Sequence, residues 1–364
     1  MRQQLAANIK TGAALTAALM LSACSVFQSA PVVAPPAPKP APPPVEEPPA
    51  LTAKMAAAQN DLTRMVAIQD RLYHVAAPLL IDNADLCKAQ ARNLLGFTAK
   101  NKYSYPGDFS EAAQAVLGYG ERLQVSGVLP GSGAAHAGLR KGDALIAVEG
   151  KPLPTGPNAE TSAAAVFGAL AGDHALLAMS VSRGRAVEEL KVPFTRACAF
   201  KVDLGNSDNI NSYADGTRVM ITRGMVNFAQ SDEAIAFVLA TDMAHNMLGH
   251  AATMRMTNTI GSMIDNLVAV RPDLSMLIGS AGVKPTPADL DVAADHVALY
   301  MLARAGYNVE HAHAFWQRLS TQYPASVLNG YTAMHPGVVA RLAGIDHTVA
   351  EIKAKQAAKK PLLP

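Results

Sequence analysis

Leu239-Ala240-Thr241-Asp242-Met243-Ala244-His245-Asn246-Met247-Leu248-Gly249-His250 is the stretch on which the fold of this chain turns. Ser231, a little upstream, is a good helix N-cap, because its hydroxyl can accept from a backbone N–H that has no intrahelical partner. Asp232 and Glu233 then suit the positive first turn. The pattern predicts a helix that begins at Ser231 and runs through Ala234, Ile235, Val238 and Leu239. Met243 and Met247, at helical spacing, read as core filling. On a continuous helix His250 points about 140° away from His245, so it reads as a packing or hydrogen-bonded histidine.

Upstream lie Asn211-Ser212-Tyr213-Ala214-Asp215-Gly216, a strand over Arg218-Val219-Met220-Ile221-Thr222, and Arg223-Gly224-Met225. Downstream, Thr286 as N-cap, Pro287 at the first helical position and Gly306 beyond the end predict a second long helix, which carries Asp291, Asp295 and His296. The connection from Asn258 to Lys284 is apolar but interrupted by Asp265, Arg271, Pro272 and Asp273, so it reads as a flap or short helix. His311 and His313 fall on a solvated helix start, and Trp316, the single tryptophan, on the core. Leu51 to about Leu95 reads as helical, with Leu62, Met65, Val66, Ile68 and Leu72 at helical spacing.

Between about Phe97 and Phe194 the texture changes to short β-type runs broken by glycine turns: Leu123-Gln124-Val125, Ala144-Leu145-Ile146-Ala147-Val148 and Leu176-Leu177-Ala178-Met179-Ser180-Val181. Val128-Leu129-Pro130-Gly131-Ser132-Gly133-Ala134-Ala135-His136-Ala137-Gly138-Leu139 and Lys141-Gly142-Asp143-Ala144-Leu145-Ile146-Ala147-Val148-Glu149-Gly150 make this module resemble a PDZ domain across nearly its whole length. The resemblance implies a strand edge to which an extended peptide adds and a glycine turn whose N–H groups take a C-terminal carboxylate. Gly118-Tyr119-Gly120 is the candidate loop, with an ordinary turn as the alternative.

The helix from Leu239 to His250, the Asn211 to Met225 segment and Asp291-Val292-Ala293-Ala294-Asp295-His296-Val297-Ala298-Leu299-Tyr300-Met301-Leu302-Ala303-Arg304-Ala305-Gly306-Tyr307 together resemble metallopeptidase family forty-eight, which includes the HtpX-like and prenyl-protein peptidases. The likeness spans Ala197 to about Ile352 and the early helices. It implies zinc held by two histidines of an HExxH motif and a carboxylate from the next long helix, with the motif's Glu as general base.

The sequence departs from that pattern at three positions. Thr241 stands for the first histidine, Asp242 for the Glu, and Asp291 for the later Glu; His245 keeps the second histidine and Asp295 the acid that orients a ligand. Threonine is a poor zinc ligand, and Asp draws the base back by about 1.5 Å, where a misplacement of about 1 Å can cost about 100-fold. His335, within Tyr331-Thr332-Ala333-Met334-His335-Pro336, matches a family histidine near the metal, so His245, Asp291 and His335 could form a sparse set permissible for zinc.

At the N-terminus Arg2 and Lys10 precede an apolar run, Thr11 to Ala23, that ends in Leu21-Ser22-Ala23-Cys24. That run is about two-thirds of the roughly 20 residues a spanning helix needs, so it reads as a signal peptide with lipid transfer to Cys24. Ser25 leans toward outer-membrane sorting. Pro31 to Ala50 is half proline, an extended tether that reaches roughly 60 Å. With Cys24 lipidated, Cys87 and Cys198 remain, and an oxidising compartment favours one disulfide between them over two buried thiols. A formal charge of +2 without a basic run gives no reason for nucleic acid, and no Gly-rich phosphate loop follows a strand.

These readings predict an α+β protein: a mainly helical zincin-like metallopeptidase domain with a small β-sheet and an inserted β-rich PDZ domain. The expected boundaries are a signal peptide over 1–23, lipidated cysteine and tether over 24–50, N-terminal helices over 51–96, PDZ over 97–195, the metallopeptidase-like domain over 196–355 and a tail over 356–364. The expected protein is a pseudopeptidase on the periplasmic side of the outer membrane that binds envelope polypeptides or C-terminal peptides. The alternative is an active zinc metalloendopeptidase of outer-membrane protein quality control.

Overall fold

A computed structural model describes residues 52–171, 174–253, 257–274, 284–325 and 330–364. The signal peptide, Cys24 and the proline tether lie outside the described residues. Thr52 opens α1 (Ala53–Ile81) by accepting the Met55 N–H at 3.2 Å. The helix ends at Ile81, short of the expected helical reach to about Leu95. At its end the buried Asn83 turns its amide onto the carbonyls of Leu79 (3.0 Å) and Met301 (3.1 Å), a side-chain to backbone competition that ends helices. The chain then runs into strand β1 (Ala91–Leu94), not further helix.

The module that follows comprises β2 (Phe97–Lys100), α2 (Asp108–Leu117), β3 (Gln124–Val128), α3 (Gly133–His136), β4 (Ala144–Val148), β5 (Lys151–Pro152), α4 (Ala159–Leu170), β6 (Leu176–Arg183) and β7 (Ala186–Pro193). Its sheet has the order β2-β3-β4-β6-β7, with β5 on β4. Val125, Leu145, Val148, Leu177, Met179, Val181 and Val192 alternate onto one buried face, the period-2 pattern of half-buried strands. The buried Asp143 carboxylate accepts from the Arg140 N–H (2.8 Å) and from Arg183 (2.7 Å), which fixes the turn before β4.

The module leaves beside where it began. Strand β8 (Thr195–Cys198) pairs antiparallel with β1, Ala91 opposite Cys198, and a Cys87–Cys198 disulfide with a Cα separation of 5.6 Å staples the ladder. The module also leans on α1. The Tyr73 ring fills the space over Gly127, where a Cβ would come within 2.8 Å of it, and Ala58 and Leu62 of α1 pack with Phe109, Ala112, Ala113 and Tyr119.

The remainder comprises β9 (Lys201–Gly205), β10 (Ser212–Ala214), β11 (Arg218–Thr222), α5 (Arg223–Ala229), α6 (Asp232–Met247), α7 (His250–Thr253), α8 (Thr257–Leu267), α9 (Ala288–Arg304), α10 (Ala312–Gln322), α11 (Tyr331–Met334) and α12 (Val338–Ala357). Ser231 caps α6 as its sequence predicts, its hydroxyl accepting the Ala234 N–H at 3.1 Å. Every residue of α6 from Ala234 to Asn246 is buried, as for a helix enclosed on all sides. Its neighbours are α1, the small sheet and α9, and α9 in turn packs on α12. The long helix carrying Asp291 starts one residue later than expected: Pro287 is the N-cap, and Thr286 instead donates its N–H to Met334 at 2.6 Å. The tail is pinned by Lys355 to the Leu363 carbonyl at 2.7 Å.

The small sheet runs β10-β11-β9. Its β9 edge is sealed by the Gln69 side chain, which donates to the Val202 carbonyl (3.1 Å) and accepts the Leu204 N–H (2.8 Å) as a neighbouring strand would. Among the described strands β10 is the open edge. No described helix is long and apolar enough to cross a membrane.

The disulfide closes a sequence separation of 111 residues. On the chain-entropy model, replacing both cysteines by alanine should lower the unfolding free energy by about 4 to 5 kcal/mol, read from urea midpoints. Equal midpoints with and without the bridge would contradict this.

Candidate metal centre and peptide-binding edges

Three buried side chains from three elements converge: His245 near the end of α6, Asp291 in the first turn of α9, and His335 just after α11. One potential ligand atom from each lies within 4.8 Å of the others. His335 Nδ1 is 2.7 Å from Asp291 Oδ1, and His245 Nε2 is 3.5 Å from the same oxygen. An aromatic column sets the His335 ring plane: it stacks on Tyr331 at 4.4 Å, and Tyr331 on Trp316 at 5.1 Å. Burial alone would raise the Asp291 carboxyl, but the adjoining His335, with Arg341 behind it, outweighs burial and holds the group well below the usual carboxylate range.

His245 Nε2 and Asp291 Oδ2 are buried without a hydrogen-bond partner. Unpaired buried polar atoms are costly, and a cation between them would satisfy both. Two imidazoles and one carboxylate that leave a fourth position open are a donor set that zinc takes. The residues present therefore fit the metal.

Thr241 does not join this set. Its hydroxyl donates to Asp295 Oδ1 at 3.2 Å, and a cavity of about 10 Å³, room for one water, lies beside it against Phe237, Leu302 and Trp316. Asp295 orients no ligand histidine, contrary to the role its position implies. Both of its oxygens are held by the buried Arg341, Nε to Oδ2 at 2.7 Å and Nη2 to Oδ1 at 2.8 Å, and the guanidinium lies 4.3 Å from the Trp316 ring centre. With threonine at 241 no imidazole is there for it to hold. Asp242 sits on the helix next to Thr241, buried, with Oδ2 unpartnered; burial, opposed by His245, pushes its carboxyl up to about 7.

His250 corrects the helical-wheel expectation. The helix stops at Met247 and reverses at Gly249 (φ +70), so His250 swings back and its Nδ1 lies 2.8 Å from His245 Nδ1. Burial, with help from His245, pushes its imidazole down to about 4. His311 and His313 do not join the cluster; they pair with Glu233 (2.9 Å) and Asp346 (2.8 Å).

Gly118, Tyr119 and Gly120 do not form a carboxylate cradle. Gly118 is the left-handed C-cap of α2, Tyr119 is buried against α1 and donates its N–H to Ala113 (3.2 Å), and the Gly120 N–H goes to Gln124 Oε1 (3.3 Å). The N–H groups a carboxylate would need are engaged. The geometry favours instead the stretch Leu94-Leu95-Gly96-Phe97, in which Leu95 and Gly96 link β1 to the edge strand β2. Alongside lies α4, with Phe97 and Phe167 in ring contact at 5.9 Å and Leu95, Ala99 and Val166 partly buried. Gly96 (φ +82) is obligatory, since a Cβ would come within 2.3 Å of Ser132. Its run of apolar, apolar, glycine, apolar directly before a strand is the signal that points to it.

Residues 179–349 match Peptidase family M48, and residues 87–165 match the PDZ domain. The chain carries both. The first match begins inside β6, yet β6 pairs with β4 and β7 with β6, so the sheet carries the PDZ module on to Pro193. The chain is 22% identical over 147 residues to mitochondrial metalloendopeptidase OMA1 of Schizosaccharomyces pombe, covering 39% of this chain and 44% of that protein. It is 24% identical over 143 residues to mitochondrial metalloendopeptidase OMA1 of Arabidopsis thaliana, covering 38% and 29%. The match thus spans less than half of either relative. Among solved structures, the crystal structure of the HtrA3 PDZ domain bound to a phage-derived ligand (FGRWV) matches at 17% identity with a TM-score of 0.23, over 29% of this chain and 88% of that chain.

The shifted groups give metal-free protein two opposed pH dependences. Asp242 titrates at about 7 when folded against 3.8 ordinarily, so between those values the folded chain keeps a proton the unfolded chain has lost, and stability falls as pH rises. His250 titrates at about 4 against 6.5, so stability rises with pH across that window. Urea midpoints should therefore climb with pH in Asp242→Asn and fall with pH in His250→Gln between about pH 4 and 6.5. Parallel profiles would contradict the assignment.

Proposed function

From a chain that carries a Peptidase family M48 domain and a PDZ domain, we propose a pseudopeptidase: a lipid-tethered protein that binds envelope polypeptides and cleaves them poorly if at all. The observation that carries this reading is Thr241, whose hydroxyl is spent on the Asp295–Arg341 pair and so gives nothing to the His245, Asp291, His335 set. Zinc, where bound, would supply an electrophile and an acidified water. His245, Asp291 and His335 would hold it. Asp242 is one methylene shorter than the family base and fully buried, so its reach to a proton at the centre is reduced.

Binding has two places to occur. The open edge of β10 lies against α6 and can take an extended chain by strand addition, while the β2 edge, with α4 beside it, suits a C-terminal peptide. Lipid on Cys24 and the proline tether would set both edges near the periplasmic face of the outer membrane. A second reading, an active zinc metalloendopeptidase in outer-membrane protein quality control, is favoured by the unpartnered His245 Nε2 and Asp291 Oδ2 and by the Asp242 carboxyl pushed up to about 7, where a general base works well.

Casein cleavage separates the two. The pseudopeptidase reading expects wild type to match Asp291→Ala, with chelator-sensitive cleavage gained only in the Thr241→His, Asp242→Glu double variant. Chelator-sensitive cleavage by wild type, lost in Asp291→Ala and His335→Ala, would establish the second reading. For the PDZ edge, Phe167→Ser should weaken an apolar C-terminal peptide about tenfold by fluorescence polarisation while Gln124→Ala leaves it unchanged. The reverse outcome would return the site to the Gly118–Gly120 turn.

A further inference from the structure

The contact between His250 Nδ1 and His245 Nδ1, at 2.8 Å, is a hydrogen bond between two ring nitrogens. Such a bond exists only when one nitrogen carries a proton and the other a lone pair. Two arrangements satisfy it. If His250 donates, His245 must carry its own proton on Nε2. That buried proton would then face Asp291 Oδ1 at 3.5 Å, at the limit of a hydrogen bond, on an oxygen that already takes His335 at 2.7 Å. If His245 donates, its proton is satisfied on Nδ1, and Nε2 presents a bare lone pair toward the place where Asp291 and His335 converge.

We propose that His250 is a positioning residue for His245: by accepting its Nδ1–H it fixes the tautomer and ring orientation in which Nε2 faces a cation held with Asp291 and His335. The inference deepens the metal-holding part of the proposed function and rests on it. Ligand histidines depend on such a partner for the other ring nitrogen, and a carboxylate or carbonyl commonly serves; here an imidazole does.

The backbone is built to deliver His250 there. Asn246, in the last turn of α6, accepts the Gly216 N–H at 2.5 Å, donates to the Arg218 carbonyl at 2.9 Å, and receives Gln90 on its own carbonyl at 2.9 Å. The helix end is thus fixed to the β10–β11 turn and to the segment just before β1. Gly249 then reverses the chain at φ +70 with its N–H on Asn246 at 3.1 Å, so His250 lands on His245 with ring centres 4.9 Å apart.

The experiment uses the full chain, with cobalt(II) alone as the probe of metal affinity and 15N shifts of the His245 ring in metal-free protein as the probe of tautomer. His250→Leu should weaken cobalt binding about 10- to 100-fold, and His250→Gln, whose amide oxygen can still accept, should stay within about threefold of wild type. Wild type and the glutamine variant should show His245 protonated on Nδ1. Undiminished cobalt affinity in His250→Leu, or a wild-type His245 protonated on Nε2, would overturn the proposal. Absence of any cobalt binding by wild type, with His245 protonated on Nδ1, would instead overturn the metal-holding reading, so the two failures are told apart.

Discussion

A guanidinium in a core keeps its charge only if its surroundings repay the lost hydration, and Arg341 meets that demand in full. Asp295 returns two charge-assisted bonds, and the Trp316 face lies over the cation. The pair joins α12 to α9, and Thr241 adds α6 from the third side. Deleting one partner of such a pair typically costs about 3 to 5 kcal/mol, because the other charge is left buried and alone. The candidate metal centre lies next to this anchor: Tyr331, stacked on Trp316, sets the plane of His335. A framework fitted so tightly around threonine is a settled structure in its own right.

Much of the fold was legible in the sequence. Ser231 announced α6, Gly306 marked the end of α9, and the alternation in Leu176 to Val181 identified β6, since caps, turn glycines and apolar period are local properties. Convergence of His245, Asp291 and His335 was legible through resemblance alone, as the residues stand far apart in the chain. What escaped were tertiary effects. A helical wheel could not know that Gly249 ends the helix and returns His250 to His245. Gly118, which caps α2, and Gly96, which shapes the link before β2, differ in the sequence only by the apolar residues around Gly96; sheet order decides between them. The partner of Asp295 was likewise hidden, because Arg341 lies 46 positions away.

The two domains are bound more closely than an insertion requires. The β1–β8 ladder and its disulfide would suffice as a junction, yet α1 also receives α2, Tyr119 and the Gly127 strand. Burial of that apolar surface orients the module on the helix that also lines α6. The β2 groove is therefore carried at a defined attitude to the helix that bears His245.

Gln69 has a consequence for self-association. A sheet with two bare edges can polymerise, each copy docking head to tail on the next, whereas a sheet with one bare edge can at most close on a single symmetric mate. By occupying β9 with an amide that imitates a strand, α1 leaves this sheet one valence, on β10. Strand addition between copies at this sheet would then stop at a pair.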